Sequence, residues 1–208
     1  MNLQQLLDGV DVVGISGPQA EVSSVAYDSR RVERGGLFVA LKGEKTDGNR
    51  FASEAVERGA VAIASELPRP SLPLHGPDAV YWQGIVPPQR LPENLAWVHV
   101  RNARKALATI AANFYARPAE SLKLVGITGT KGKTTTSYVV DSILRAAGRT
   151  TGLLGTISYR TPRGELVASN TTPESLDLQR FFAEVCEGGG THVTMEVSSH
   201  ALAMDRVW

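Results

Sequence analysis

Cysteine is all but missing, with Cys186 the single one among 208 residues. No intramolecular disulfide can staple the chain, so its stability must come from buried apolar surface. Cys186 falls in a segment with helical apolar spacing and reads as a buried thiol with no catalytic part. A long apolar run is also lacking, and the stretch Met1 to Val10 is polar and interrupted. No stretch approaches the length needed to span a bilayer, and a cytoplasmic protein is the expectation. Nor is there an excess of one charge. Lys and Arg total 22 against 21 Asp and Glu, so no net field would gather nucleic acid or an acidic membrane surface. An anionic ligand must be caught locally.

What is present is enough apolar material, 42% of the residues, to fill one large core or two small ones. Proline divides the chain. Pro68, Pro70, Pro73, Pro77, Pro87, Pro88 and Pro92 crowd one region, which reads as a surface excursion broken by a short strand at Ala79 to Trp82. Before it, Val22 to Tyr27, Gly36 to Leu41 and Val61 to Ser65 read as strands, and Phe51 to Arg58 as a helix closed by Gly59. Ala96 to Val100 is a further strand, and Asn102 caps a helix carrying Leu107, Ile110, Ala111 and Phe114 on one face. The boundary between a first domain, 1–102, and a second, 103–208, is placed there.

In the second half, Leu122 to Thr128 reads as a buried strand, followed by a glycine turn and a helix from Lys133 with Val140, Ile143, Leu144 and Ala147 along one face. A strand at Thr151 to Leu154, a loop, and a helix capped by Thr172 with Pro173 in its first turn come next. Leu178, Phe181, Phe182 and Val185 face inward on that helix, and Thr191 to Val197 is the last strand. Strands alternating with helices predict an α/β fold with a parallel sheet.

The glycine turn carries the chemistry. Gly126-Ile-Thr-Gly-Thr-Lys-Gly-Lys-Thr-Thr-Thr136 lies between a strand and a helix, the context that a phosphate-binding loop requires. Glycines let successive backbone N–H groups converge on an anion, and the helix adds the positive end of its dipole. Lys133 would reach the β and γ phosphates of ATP, and the Thr134 hydroxyl would ligate Mg2+. The common pattern G-x-x-x-x-G-K-[ST] is not met in full. Ile127 occupies its first glycine position, and the glycine falls at Gly129 instead.

With that displaced glycine, residues 128–136 resemble the nucleotide loop of the Mur ligases and of their relative folylpolyglutamate synthase. Tyr27-Asp28-Ser29-Arg30, Leu37 to Gly43 and Asp47-Gly48 resemble the uridine-nucleotide domain of Mur ligases. Asn170 to Pro173 and Met195 to Leu202 are similar to the MurE branch, the UDP-N-acetylmuramoyl-dipeptide ligases. The resemblance runs from near Ser24 to the last residue in family order.

It implies an ATP-dependent amide ligase of peptidoglycan synthesis that adds a third amino acid, diaminopimelate or lysine, to UDP-MurNAc-L-Ala-D-Glu through an acyl phosphate. It implies that Gly129, Thr130, Lys131, Gly132, Lys133, Thr134 and Thr135 bind ATP, with Lys133 and Glu196 catalytic and Thr134 and Glu196 on Mg2+. It places Tyr27, Ser29, Glu44, Lys45 and Thr46 with the uridine nucleotide, and Asn170, Thr171, Thr172, Ser198 and Arg206 on the sugar, diphosphate or peptide. Hydroxyls, an amide and an arginine suit an anionic, hydroxyl-rich ligand. Thr171 and Thr172 also suit helix capping, and both roles can hold together. Glu196 ends a predicted parallel strand, where open α/β sheets bind ligands, and His200 is a neighbour of the site.

Two departures stand out. Lys131 occupies a position that is asparagine in many MurE sequences, and Met204 one that is glutamine in some, so that contact is not carried over. The family continues beyond the motif at Ser198 to His200, so the expectation is an N-terminal portion of a longer ligase, monomeric and unable to complete the reaction alone. The alternatives are a nucleotide-binding module without catalysis, and another Mur ligase or a folylpolyglutamate synthase relative.

Overall fold

The computed structural model describes residues 1–43, 46–70, 82, 85 and 91–208. All of the strand expected at Ala79 to Trp82 except Trp82 itself, the prolines Pro73, Pro77, Pro87 and Pro88, and the site residues Glu44 and Lys45 lie outside the described residues. The chain forms two compact units, Met1–Phe114 and Tyr115–Trp208.

In the first unit, α1 (Leu3–Leu6) begins with a capping box in which Asn2 and Gln5 satisfy each other's backbone N–H groups. The strands are β1 (Val12–Ser16), β2 (Ser24–Ala26), β3 (Gly36–Val39), β4 (Ala62–Ser65) and β5 (Ala96–Val100), in the order β1-β5-β4-β3-β2. The pairs from β2 to β5 are parallel, and β1 runs antiparallel along β5. Every residue of β3 and β4 is buried, which is why both read as continuous apolar runs rather than alternating ones. Phe38, Ile63 and Trp97 point to one face, where α2 (Ala52–Glu57) supplies Ala52 and Ala55. Trp97 donates its ring N–H to Leu67 O at 2.9 Å, so the largest buried side chain leaves no polar atom unsatisfied.

The helix α3 (Ala103–Phe114) follows β5 directly. The Asn102 side chain accepts from the N–H groups of Arg104 and Lys105, as its capping role requires. Its contacts with α1 and β4 put α3 in the first unit, so the units divide after Phe114 and not at Asn102. The capping signal marked a helix start, and a helix start does not say against which core the helix packs.

In the second unit, β6 (Lys123–Ile127), β7 (Thr151–Leu154), β8 (Ser158–Thr161), β9 (Gly164–Val167) and β10 (His192–Glu196) are ordered β6-β10-β7-β8-β9. The strands β6, β10 and β7 are parallel, joined by crossover helices α4 (Lys133–Ala146) and α5 (Ser175–Glu187). The expected parallel sheet is thus a mixed one, because β8 and β9 form an antiparallel hairpin on β7. Only three residues link β7 to β8, too few for a crossover, so the chain must reverse.

Two further expectations change. The strand at Leu122 to Thr128, read as buried, is an edge strand whose Leu124 is 42% exposed. The face of α4 toward the sheet carries the buried Ser137 and Asp141, while Ile143 is 62% exposed and Ala147 is exposed too. Apolar spacing gave the helix but not its orientation, because the polar face carries its own partners: Asp141 accepts from Thr151 Oγ1 at 2.7 Å and from Arg160.

Candidate functional site

The parallel strands are in register, so Glu196 lies opposite Ile127 and Met195 opposite Leu154. The turns that follow β6, β7 and β10 therefore emerge at one end of the sheet, where ligands of open α/β sheets bind. Residues 128–132 form the first of these turns. Gly129 has φ 143° and Gly132 φ 79°, and Gly132 is the N-cap of α4 with no side-chain capping bond. These conformations favour glycine, and they leave the first N–H groups of a 14-residue helix facing outward. Gly129, Thr130, Lys131, Gly132 and Thr135 are exposed, and Lys133 Nζ folds back on Gly129 O at 2.9 Å.

Glu196 is the charged centre of this end, 1% exposed at the tip of β10. Its Oε2 accepts from Thr134 Oγ1 at 3.0 Å and from Thr156 Oγ1 at 3.3 Å, and its Oε1 from Thr156 N–H at 2.9 Å. Those bonds are what allow a carboxylate to be buried there. Space for it is made by Gly155, where an added Cβ would meet Glu196 Oε1 at 2.6 Å.

A third loop closes on the same place. Thr171 Oγ1 lies 3.1 Å from Thr156 Oγ1, and Tyr159 OH holds Asn170 through both its N–H, at 3.0 Å, and its carbonyl. Thr172 is not the helix cap expected from sequence, because α5 starts at Ser175 with Glu174 as N-cap. Its hydroxyl instead donates to Glu196 O at 2.9 Å and accepts from Ser198 N–H at 3.1 Å, tying this loop to the end of β10. Arg206 donates to Thr172 O at 3.0 Å and pairs with Glu174 at 2.8 Å. Ser198 caps α6 (Ser199–Ala203) by accepting from Ala201 N–H, and His200 on that helix is exposed. Met204 is half-buried just beyond it.

The structure thus gathers Lys133, Thr134, Glu196, Asn170, Thr171, Thr172, Ser198 and Arg206 around one end of one sheet. Thr156 and Gly155 belong with them and were not singled out from sequence. The signal available was a glycine directly after a strand of the same sheet.

The first-unit residues are described separately. Asp28 caps the turn Ser29–Arg31 and forms a two-bond fork with Arg30, whose guanidinium is the largest cause holding the Asp28 carboxyl below its ordinary range. The buried Ser29 donates to Glu54 Oε2 at 2.7 Å, and that bond holds the Glu54 carboxyl low as well. Tyr27 is half-buried beside them. Thr46 is exposed, with its carbonyl accepting from Gly43 N–H at 2.9 Å. Elsewhere, Cys186 is half-buried, and burial pushes its thiol up, away from the reactive thiolate. No helix among the described residues is long and apolar enough to cross a membrane.

The oxygen set at the site suits a hard divalent cation. A hydroxyl and a buried carboxylate face each other, while no group of three or more His, Cys, Asp or Glu gathers among the described residues. Two protein oxygens completed by water and phosphate is the usual arrangement for Mg2+.

Comparison with known proteins identifies the family. Residues 21–115 match the family model described as Mur ligase family, catalytic domain, and residues 127–208 the Mur ligase middle domain. The chain is 48% identical over 210 residues to the UDP-N-acetylmuramoyl-L-alanyl-D-glutamate--2,6-diaminopimelate ligase of Solibacter usitatus (strain Ellin6076), covering 100% of this chain and 38% of that protein. It is 40% identical over 209 residues to the ligase of the same name from Listeria monocytogenes serotype 4b (strain F2365), again covering all of this chain and 38% of the relative. A solved structure of a ligase with that name superposes with a TM-score of 0.66 at 24% identity, covering 89% of this chain and 34% of that one, and supports the fold. The chain spans about 38% of the length of these curated relatives.

Proposed function

Since the chain belongs to the Mur ligase family, we propose that it is part of an ATP-dependent ligase that joins a third amino acid to UDP-MurNAc-L-Ala-D-Glu in peptidoglycan synthesis. The relatives' names specify 2,6-diaminopimelate as the amino acid. The observation that carries the proposal is the meeting of Thr134 and Glu196 beside Lys133 at the outlet of the parallel strands.

In this reading the N–H groups of 129–135 and the Lys133 ammonium hold the triphosphate of ATP, with Lys133 exchanging its bond to Gly129 O for phosphate oxygens. Thr134 Oγ1 and Glu196 would hold Mg2+, which supplies charge neutralisation to the transferring phosphoryl group. A carboxylate oxygen of the D-glutamyl residue attacks the γ phosphorus, the bond to the β-phosphate oxygen breaks, and ADP leaves. The incoming amine then attacks the acyl carbon, loses a proton and expels phosphate. Asn170, Thr171, Thr172, Ser198 and Arg206 would hold the substrate's sugar, diphosphate or peptide, and their hydrogen bonds to one another and to the end of β10 support that assignment. Tyr27, Ser29 and Thr46 would contact the uridine nucleotide, together with Glu44 and Lys45.

The test is a coupled assay of ADP release by the ligase containing this chain. Release that requires ATP, Mg2+, UDP-MurNAc-L-Ala-D-Glu and diaminopimelate together is expected, and lysine is run in parallel. Release with UDP-MurNAc lacking the peptide, or with a folate, in place of the dipeptide substrate overturns the proposal. The 208-residue chain by itself is expected to bind nucleotide without releasing ADP.

A further inference from the structure

At the opposite ends of the same strands lies a cleft of about 490 Å³ that the proposed reaction does not use. The register pairs Thr151 with His192 and His192 with Lys123. This end is therefore about 13 Å along the strands from the outlet at Glu196, four residue steps away. Four arginines line the cleft: Arg145, Arg149, Arg160 and Arg163. They come from separate places. Arg145 is in the last turn of α4, Arg149 follows the Gly148 turn, and Arg160 and Arg163 belong to the β8–β9 hairpin.

Two of the four already have partners. Arg160 is paired with the buried Asp141, and Arg163 gives both terminal nitrogens to the exposed Glu187, at 2.8 Å to its carboxylate and 3.1 Å to its carbonyl. Arg145 and Arg149 have no carboxylate partner among the described residues. Arg145 gains from the negative end of α4, but Arg149 lies past that helix. The one carboxylate in the lining, Glu165, already accepts from the Ser158 hydroxyl. The imidazole of His192, paired in register with Thr151, is held below its ordinary value first by burial and then by the charges of Lys123 and Arg149. Converging cations repel one another, and a bound anion would relieve that repulsion.

We propose that this cleft is a second anion site, shaped for a compact oligophosphate and separate from the nucleotide loop. The guanidinium forks of Arg145 and Arg149, which no carboxylate occupies among the described residues, match phosphate oxygens in pairs, and two such forks on one cleft suit a group with two phosphates better than a single carboxylate. That chemistry is offered equally by free inorganic diphosphate and by the phosphate chain of a nucleotide.

The experiment uses the 208-residue chain carrying Lys133→Ala, which weakens phosphate binding at the nucleotide loop, and the amides read at each place tell the two sites apart. Backbone amide spectra are recorded while pyrophosphate, and in a second series ADP, is added without magnesium. Saturable shifts of the Thr150, Arg163 and Gly164 amides are expected, weakening as salt rises. Adding Arg145→Ala and Arg149→Ala should lower the affinity at least 10-fold with the remaining amides unmoved, which reports an intact fold. Arg145→Lys with Arg149→Lys should weaken binding less. Tighter binding of ADP identifies a nucleotide as the source of the phosphates, and equal or tighter binding of pyrophosphate identifies the free anion. Shifts that do not saturate, or that persist unchanged without Arg145 and Arg149, overturn the proposal.

Discussion

Replacing Gly155 by alanine should damage the second unit through a single contact. The backbone there is outside the left-handed region, so alanine fits its conformation and any cost must come from the methyl group. That methyl would meet Glu196 Oε1 at 2.6 Å, with the Cδ carbon at 3.5 Å behind it. Restoring ordinary contact requires the carboxylate to retreat by about 0.8 Å. Such a shift is enough to carry the bond from Thr156 N–H, now 2.9 Å, out of hydrogen-bonding range. A lost bond to a buried carboxylate costs roughly 1.5–3 kcal/mol. For a unit of this size, about 2 kcal/mol is a fall in Tm on the order of 10 °C. Gly164→Ala is the control, because an added Cβ there meets nothing within 4 Å. The assay is thermal unfolding of the 208-residue chain, followed by magnesium dependence of ADP binding. Melting of Gly155→Ala within about 2 °C of Gly164→Ala, with magnesium dependence intact, would refute the reasoning.

Thr134→Val should abolish the magnesium-dependent part of ADP affinity while Thr134→Ser keeps most of it, since only the hydroxyl faces Glu196; calorimetry with and without magnesium reads this. Lys133→Ala should lower ADP affinity by about 10-fold or more yet shift unfolding by no more than about 0.5 kcal/mol, because its one bond, to Gly129 O, is exposed. Asp141→Ala should cost about 3–5 kcal/mol in urea unfolding by leaving the half-buried Arg160 without its carboxylate, and a loss under about 1 kcal/mol would count against that pairing. Ser29→Ala removes the main cause of the depressed Glu54 pKa. A depressed carboxyl contributes stability above its ordinary value, 4.5 for glutamate, and loses it as pH falls through the folded value. The Tm gap between native chain and Ser29→Ala should therefore be full at neutral pH and close in acid; a gap independent of pH would contradict the assignment.

Much of the fold was legible because its signals are local. Strands β3, β4, β5, β7 and β10, the helices after Asn102 and Lys133, and the phosphate loop all announce themselves through apolar runs, a cap or paired glycines. The hairpin β8–β9 was missed although Thr-Pro-Arg-Gly, residues 161–164, is turn material. Its strands alternate weakly, and β9 is exposed throughout. The strand β1 went unassigned for a related reason, as an edge strand exposed over four of its five residues. Thr172 was read as a cap because a hydroxyl before proline and a helix has that form, whereas its bonds go to a strand 24 residues away.

By itself, then, the sequence determined the elements with strong internal periodicity, the loop that turns its N–H groups outward, and the family those motifs resemble. Tertiary structure alone decided which unit holds α3, that Asp141 rather than Ile143 faces the sheet, and that Glu196 meets Thr134 across a gap of 62 residues with Gly155 making room. It also decided that four arginines share one cleft. The physical reason is range. Propensity, capping and turn chemistry act over a few neighbouring residues, while burial of a carboxylate or convergence of cations depends on strand register, which nothing in a local window encodes.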